Sequence, residues 1–429
     1  MKILFSNWSR NKFIKRKIFF LKTLKTHVKK KITIIGNNLS YSDASISTDN
    51  NKILSLKKIK KKMVYDKDDK VLTCSSNCTL YEINKFLKKY ERTLFTVAGH
   101  PNVTIGGAIS ANIHGKNSFK FGAFGTYVNS VKLKHKKKIF EVSKRKNKQL
   151  FDLIISGSYG LTGIIVEASI KTMQIKSNQL ITSIVLVKSI EEMIKQFDKN
   201  ETTSDYMICR IFLISKNNIK GSFHNSKFLN KNIKIYNFFN FNKNFFLFFS
   251  KFFFRKNIIK LFYFLIPIFE KKIKQDLEQI VFPFKNYQNY NLLFGNNGFY
   301  QFQVSIKREN FKIFFKNFSK LILKYDIFSP LITIKKIKKN KNDKFLSFMQ
   351  DGYTIAIDLF KKDALKLKND FYNLTINSGG KVYLAKDMLL EKDDFKKIFN
   401  IKKFNIICKN NHMIGCYKND MSKRLSIIE

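Results

Sequence analysis

The sequence predicts an α+β fold in two domains, and three observations carry that expectation. The chain has 429 residues, more than one hydrophobic core usually serves. Residues 31–175 read as short β-rich units joined by glycine-bearing turns, with a few helices between them. Residues 178–380 change character and set helical stripes beside strands of period-two alternation. Hydrophobic residues make up 44% and aromatics 15%, enough apolar side chain to fill two cores. No internal repeat and no long linker is visible.

In order along the chain, "KITIIG" (31–36) is an apolar strand ending at Gly36, and the polar loop "NNLSYSDAS" follows it. Thr79 and Glu82 make a capping box, in which the hydroxyl takes the third amide and the carboxylate reaches back to the cap. Leu80, Ile83, Phe86, Leu87 and Tyr90 then form one apolar stripe on a helix of about three turns. Ser189 with Glu192 opens a second such helix, whose stripe is Ile190, Met193, Ile194 and Phe197. A Phe/Lys-rich block fills 236–270. In "FYQFQVSI" Tyr300, Phe302, Val304 and Ile306 face one side, leaving Gln301, Gln303 and Ser305 for solvent or a ligand. "YTIAIDLF" repeats the pattern, with Thr354, Ala356 and Asp358 on the second face. The helix "DALKLKNDFYNL" stops before Gly379 and Gly380, and "KVYLAKD" resumes as a strand.

A formal net charge of +50 ordinarily points to nucleic acid or an anionic membrane. Here the excess is nearly all lysine, spread over the chain and accompanied by Asn, Ile and Phe, the residues that an AT-rich coding sequence favours. No nucleic-acid module accompanies it, so nucleic acid is not an expected partner, whereas attraction to anionic lipid stays open. Cys74, Cys78, Cys209, Cys408 and Cys416 show no paired CxxC spacing and read as reduced thiols rather than metal ligands. The opening "MKILFSNWSRNKF" has no apolar run long enough for a signal peptide. The most apolar stretch, 245–269, is interrupted by Lys251, Arg255, Lys256 and Lys260, which disqualifies it as a spanning helix but not as an interfacial one. A cytoplasmic location is expected, with a peripheral contact at the inner face of the membrane as its extension.

Several reaction classes lack their residues. No GxGxxG follows the first strand, and no Walker-type GxxxxGK[ST], GxSxG elbow or HExxH pair occurs. Three glycine-bearing loops remain, at 36–43, 98–125 and 157–163, and inward-turned backbone amides in such loops can hold a diphosphate without lysine.

Taken together, "GNNLSYSD", "AGHPNVTIGGAISANIHGKN", "FGAFG" and "GSYGLTGII" resemble the PCMH-type FAD-binding half of the vanillyl-alcohol-oxidase superfamily. Within it the chain resembles the decaprenylphosphoryl-β-D-ribose 2′-oxidase family. The long match is HGKN, a short spacer and G-[AS]-F-G; "GFYQFQVSI", "GYTIAIDLF", "GGKVYLAKD", "DMSKRL" and the opening "NWSR" follow the family's order. The resemblance implies an FAD-binding domain at 1–177, a substrate domain on antiparallel strands at 178–380, and a segment at 381–429 returning to the first domain.

It also implies roles. Gly36, Asn38, Ser40, Tyr41, Gly99, Thr104, Gly106, Gly107 and Ala108 match the FAD-embracing positions, with Ile113, Asn117 and Gly122 continuing the cofactor wall. The family's Gly-Arg-Ser-Tyr-Gly-Asp is Asn38-Leu39-Ser40-Tyr41-Ser42-Asp43 here. Asparagine tolerates left-handed backbone, serine at 42 does so less well, and an arginine is gone. No histidine lies between Gly36 and Ser47, so non-covalent FAD is expected. His114 and Lys116 match the active-site His and Lys beside flavin and substrate phosphate, and Gln303 a substrate-contacting glutamine. A second phosphate-side lysine falls on Lys335 or Lys336. Lys386 matches the catalytic lysine, able to accept a hydroxyl proton when its pKa is lowered, with Tyr383 on the same segment and Tyr41 as the other group orienting the hydroxyl. Thr354 matches a substrate-side position, and Ala356 stands where some relatives carry a reactive cysteine.

The implied activity is an FAD-dependent oxidation of the 2′-hydroxyl of a polyprenyl-phosphate-linked ribofuranose, with hydride passing to flavin N5. A short-chain reductase partner would complete an epimerisation to arabinose in cell-envelope biosynthesis. Two rivals remain: an aldonolactone or sugar-alcohol oxidase of the same superfamily, and a non-catalytic relative that binds lipid phosphate.

Overall fold

The computed structural model describes residues 3–24, 31–49, 52–213, 219–231, 270–285 and 290–428. Apart from Glu270, the Phe/Lys-rich block at 236–270 lies outside the described residues.

The first half holds three sheets. β1 (Ile3–Ser6) and β2 (Phe13–Arg16) form a hairpin. β3 (Ile18–Phe20), β4 (Ile32–Ile35) and β5 (Lys52–Ser55) run parallel with β5 in the middle. β6 (Met63–Asp66), β7 (Val71–Ser75), β8 (Arg92–Leu94), β9 (Val128–His135), β10 (Lys138–Ser143) and β11 (Ile164–Gln174) build an antiparallel sheet in the order β10-β9-β11-β7-β6, with β8 on β11. The predicted strand at 31–36 is β4, and its exit at Gly36 delivers the polar loop.

Both predicted capping residues act. Thr79 accepts from Glu82 N at 3.2 Å while Glu82 Oε2 accepts from Thr79 N at 2.9 Å, opening the helix Leu80–Leu87. That helix is shorter than its stripe suggested, because a 3-10 turn over Lys88–Tyr90 finishes the pattern. At Ser189 the box is half closed: Ser189 accepts from Glu192 N, but Glu192 Oε2 takes Lys188 N at 2.8 Å.

The second half is one eight-stranded antiparallel sheet. β12 (Gln179–Val187), β13 (Tyr206–Leu213), β14 (Ile219–Phe228), β15 (Lys271–Asp276), β16 (Phe299–Lys307), β17 (Ile332–Ile337), β18 (Gly352–Phe360) and β19 (Lys381–Val382) lie in the order β15-β12-β14-β13-β17-β18-β16-β19. The helices Arg308–Lys324 and Lys361–Asn377 pack on β16 and β18, where Phe302 stacks on Phe371 at 5.0 Å. The opposite, polar face is not open to water as the alternation alone allowed. Gln303, Ser305 and Thr354 are buried on it, because His114 of the first half meets Gln303 while the segment at Phe348 and Gln350 covers Ser305.

The segment predicted to resume as a strand pairs only through Lys381 and Val382. Tyr383 N still donates to Gln303 O, but Lys386 N then turns back onto Tyr383 O. The turn carries Ala385 to the first half, where its carbonyl accepts from Tyr41 N and Ser42 N. Further on, Tyr417 bridges Ile32 in parallel, and the helix Asp420–Arg424 brings Arg424 against Asp43 and Asp387.

Candidate active site

Between the loops of the first half and the polar face of β16–β18 lies a cavity of about 710 Å³. Its first wall is the loop Asn37–Ser40, whose four backbone amides find no acceptor among the described residues. Asn38 sits at φ 56°, the left-handed conformation that asparagine tolerates. Ser42 is extended, at φ −87°, so the family's glycine there is not required for backbone reasons, and the concern over that position does not arise. The second wall is the helix Ile105–Ser110, capped by Thr104 on Gly107 N. The two walls meet closely: a Cβ at Gly36 would stand 2.5 Å from Thr104 Oγ1.

Two buried amide oxygens in the lining, Asn77 Oδ1 and Asn117 Oδ1, lack a hydrogen-bond partner among the described residues. Buried acceptors normally find a donor. With the free amides opposite, they leave a polar cradle of the kind a dinucleotide fills.

The substrate end is cationic. Lys57, Lys116, Arg210, Lys335 and Lys386 line the cavity, and Asp358 is the one carboxylate among the described lining residues. His114, 7% exposed, contacts Gln303 Nε2 at 2.9 Å through Nε2 and Lys335 Nζ at 3.3 Å through Nδ1. A neutral imidazole has one acceptor nitrogen. Both contacts therefore hold together only if Lys335 is deprotonated and accepts from Nδ1, or if the Gln303 amide turns its oxygen inward. Burial pushes His114 well below its ordinary pKa, helped by Lys335 and Lys386, and burial brings Lys335 down to about 7. His114 is thus a neutral ring at physiological pH.

Lys386 Nζ stands 2.9 Å from the centre of the Tyr41 ring. Burial holds this lysine well below the usual range; Asp358 works against that shift and Lys335 adds to it. Asp358 accepts from Tyr290 Oη at 2.6 Å and from the Gln301 amide. Burial still lifts it to about 6. Tyr41 remains a phenol, since burial and Asp358 raise it well above 10.

The structure brings most of the predicted residues to this cavity: Gly36, Asn38, Ser40, Tyr41, Gly99, Thr104, Gly106, Gly107, Ile113, His114, Lys116, Asn117, Gln303, Lys335, Tyr383 and Lys386 all line it. Four lie elsewhere. Lys336 alternates to the other face of β17 and pairs with Asp198 at 2.7 Å and Glu201 at 2.8 Å, so that of the two lysines Lys335 is the one lining the cavity. Thr354 is fully buried behind Gln303, whose amide donates to its hydroxyl at 3.1 Å. Ala108 points into the core. Gly122, at φ +72°, serves a close approach, since a Cβ there would lie 1.9 Å from Asn340 Nδ2. Tyr383 presents its ring, because its hydroxyl donates to Ala111 O.

Sequence reasoning left out Asp358, Gln301, Tyr290, His100 and Arg210. Asp358 and Gln301 were legible: they face each other in the β16–β18 register, two residues along from Ala356 and Gln303 on a face already marked polar.

Residues 21–136 match the model of the FAD binding domain family. The chain is 25% identical over 358 residues to the decaprenylphosphoryl-beta-D-ribose oxidase of Mycolicibacterium smegmatis, covering 77% of this chain and 75% of that protein. It is also 24% identical over 123 residues to an uncharacterised protein of Streptomyces coelicolor, covering 29% of this chain and 33% of the relative. The chain binds FAD, and the free amides of Asn37–Ser40 and the orphaned Asn77 and Asn117 oxygens fit that cofactor. No helix among the described residues is long and apolar enough to cross a membrane.

Proposed function

We propose that this protein is an oxidase that converts the 2′-hydroxyl of a polyprenyl-phosphate-linked ribofuranose to the 2′-keto sugar, the first half of an epimerisation that a reductase partner completes. The observation that carries the reading is the cluster of His114, Lys335, Lys386 and Gln303 at the cationic end of the cavity that holds the dinucleotide cradle. A phosphate would restore the charge that burial takes from Lys116 and Lys335, which a soluble neutral sugar cannot do. The curated relative that matches most of the chain is named for a substrate of this class.

In this reading Asn37–Ser40 and Asn117 hold FAD, without a covalent bond to a first-loop histidine. Oxidising a secondary alcohol removes a hydride from carbon and a proton from oxygen, and bound FAD supplies the hydride acceptor. Lys386, neutral through burial, takes the proton as the C2′–O double bond forms. Tyr41 and neutral His114 orient the hydroxyl. Lys116 and Lys335 hold the phosphate, and Gln303, itself placed by Thr354, contacts the sugar. Tyr383 fixes the ring of His114 edge-on at 5.4 Å.

The test is anaerobic reduction of the bound flavin by a panel of sugars. Polyprenyl-phosphoribose should bleach the flavin at least tenfold faster than free ribose or an aldonolactone. Equal rates on the soluble sugars would overturn the assignment.

A pH dependence follows from Lys335. A phosphodiester keeps one charge across the neutral range, so any change in its affinity belongs to the protein. Lys335 attracts it when protonated, below about pH 7. Affinity should therefore weaken by up to about tenfold per unit as pH rises above 7, and Lys335→Gln should flatten that slope. A wild-type binding curve level between pH 6 and 9 would remove Lys335 from the phosphate site.

A further inference from the structure

Beside the main cavity lies a second of about 110 Å³, lined mostly by strand residues and, apart from Lys116, by groups that the proposed reaction does not use. It rests on one face of the sheet formed by β15, β12, β14 and β13. Across that face Thr182 pairs with Ser226, Ser226 with Tyr206, and His224 with Ile208. Arg210 extends the row two residues beyond Ile208. The roof is Lys116, whose Nζ donates to Ile280 O and whose own carbonyl accepts from Met207 N on β13. Lys116, Tyr206, Ile208 and Arg210 line both cavities.

The chemistry of this lining is one-sided. It offers a guanidinium, an ammonium, an imidazole, the hydroxyls of Thr182 and Ser226, and the amides of Gln275 and Gln279, and no Asp or Glu among the described residues. The cations act on one another. Burial, then Arg210 and Lys335, lowers Lys116 well below its ordinary value, and burial, Arg210, Lys116 and Lys271 bring His224 to about 3. A bound anion would relieve that repulsion. The volume sets the size of the guest: a water needs roughly 10–15 Å³ on this measure, so the cavity takes a tetrahedral oxyanion or several waters, but not a prenyl chain. A guanidinium fork with an ammonium is the donor set that phosphate groups take.

We propose that this side cavity is an anion subsite for a phosphate-class oxyanion, either inorganic phosphate or a terminal phosphoryl group on the sugar being oxidised. Arg210 supplies the charge, a bound anion would hold the proton on Lys116 beside it, and Thr182, Ser226 and His224 supply the remaining polar contacts. The subsite adjoins the His114–Lys335 cluster through Lys116, which lines both cavities. It does not depend on the proposed oxidation; only the assignment of its occupant to a substrate does.

The FAD-loaded protein decides it in two arms. In the first, inorganic phosphate is titrated calorimetrically into wild type, Arg210→Gln, Thr182→Val and, as a control for overall charge, Lys195→Gln on an exposed helix face. Wild type and Lys195→Gln should bind alike, Thr182→Val at least threefold more weakly, and Arg210→Gln at least tenfold more weakly. Absence of phosphate binding to wild type, or equal binding to all four, overturns the subsite. In the second, flavin reduction is followed with ribose 5-phosphate against ribose. A tenfold advantage in apparent Kd for the phosphorylated sugar, lost in Arg210→Gln, assigns the site to substrate; no advantage assigns it to free phosphate. If no sugar, polyprenyl-phosphoribose included, reduces the flavin while phosphate still binds, the proposed oxidation fails and the subsite stands.

Discussion

Lys386→Ala should slow anaerobic flavin reduction by about 10²–10⁴, the range that a positioned acid–base group contributes, in a protein that still binds FAD. The reason is local. Lys386 Nζ lies over the Tyr41 ring in the cavity, its pKa held well below the usual range by burial, while Asp358 pulls the other way. In the proposed reaction, removing the amine takes away the group that accepts the hydroxyl proton, and burial keeps His114 a poor substitute. The cradle formed by Asn37–Ser40 and Asn117 is untouched, so flavin content should match wild type. Stopped-flow traces with polyprenyl-phosphoribose make the measurement. If the variant bleaches as fast as wild type, Lys386 is not the base.

A second large effect is expected away from the chemistry. Arg424, on the helix Asp420–Arg424, uses all five of its N–H donors. Nε and one terminal nitrogen meet the two oxygens of Asp43 at 3.1 and 2.9 Å, and the other terminal nitrogen meets Asp387 Oδ2 at 3.1 Å. The last two donors go to the carbonyls of Leu390 and Asp387. Both carboxylate side chains are 2% exposed. Arg424→Met would leave two buried carboxylates without their counter-charge, and breaking such a group costs about 3–5 kcal/mol. Denaturant unfolding should show that loss. Arg424→Lys, which keeps the charge and loses the fork, should fall between. Because Asp43 follows the flavin loop directly, the Met variant should also retain less FAD. A stability within about 0.5 kcal/mol of wild type would mean that the cluster contributes nothing net.

The polar face of the second sheet, the capping at Thr79 and Ser189 and the glycine loops were all legible in the sequence. Each is written in local periodicity or in a side chain with one backbone partner. What the sequence could not supply depends on contacts between distant segments. Whether Lys335 or Lys336 faces the cavity is a question of strand phase, and nothing in the lysine-rich run around them marks that phase. It is settled by the ion pairs of Lys336 with Asp198 and Glu201, far away in sequence. Gly122 carried a family motif, yet its positive φ answers to Asn340 in another segment. Asp358 was visible as a polar residue on a strand, but its partner Tyr290 lies in a stretch with no pattern to announce it. The turn at Tyr383–Lys386 read as a strand because its composition is that of one; the pull of Tyr41 and Ser42 on Ala385 O has no sequence signature.

The bridge between Ile32 and Tyr417, with the Arg424 clamp beside it, bears on the order in which the molecule is assembled. β4 emerges early during synthesis, yet the segment that covers its free edge is made some 385 residues later, the separation of the Thr33 hydroxyl from its acceptor at Lys418. Contacts of such separation form slowly. Until they do, the cofactor loop that follows β4 lacks its backing, while the eight-stranded sheet can already be complete through β18. The nascent chain should therefore pass through a state with a finished second half and an open first half, and FAD should be captured last.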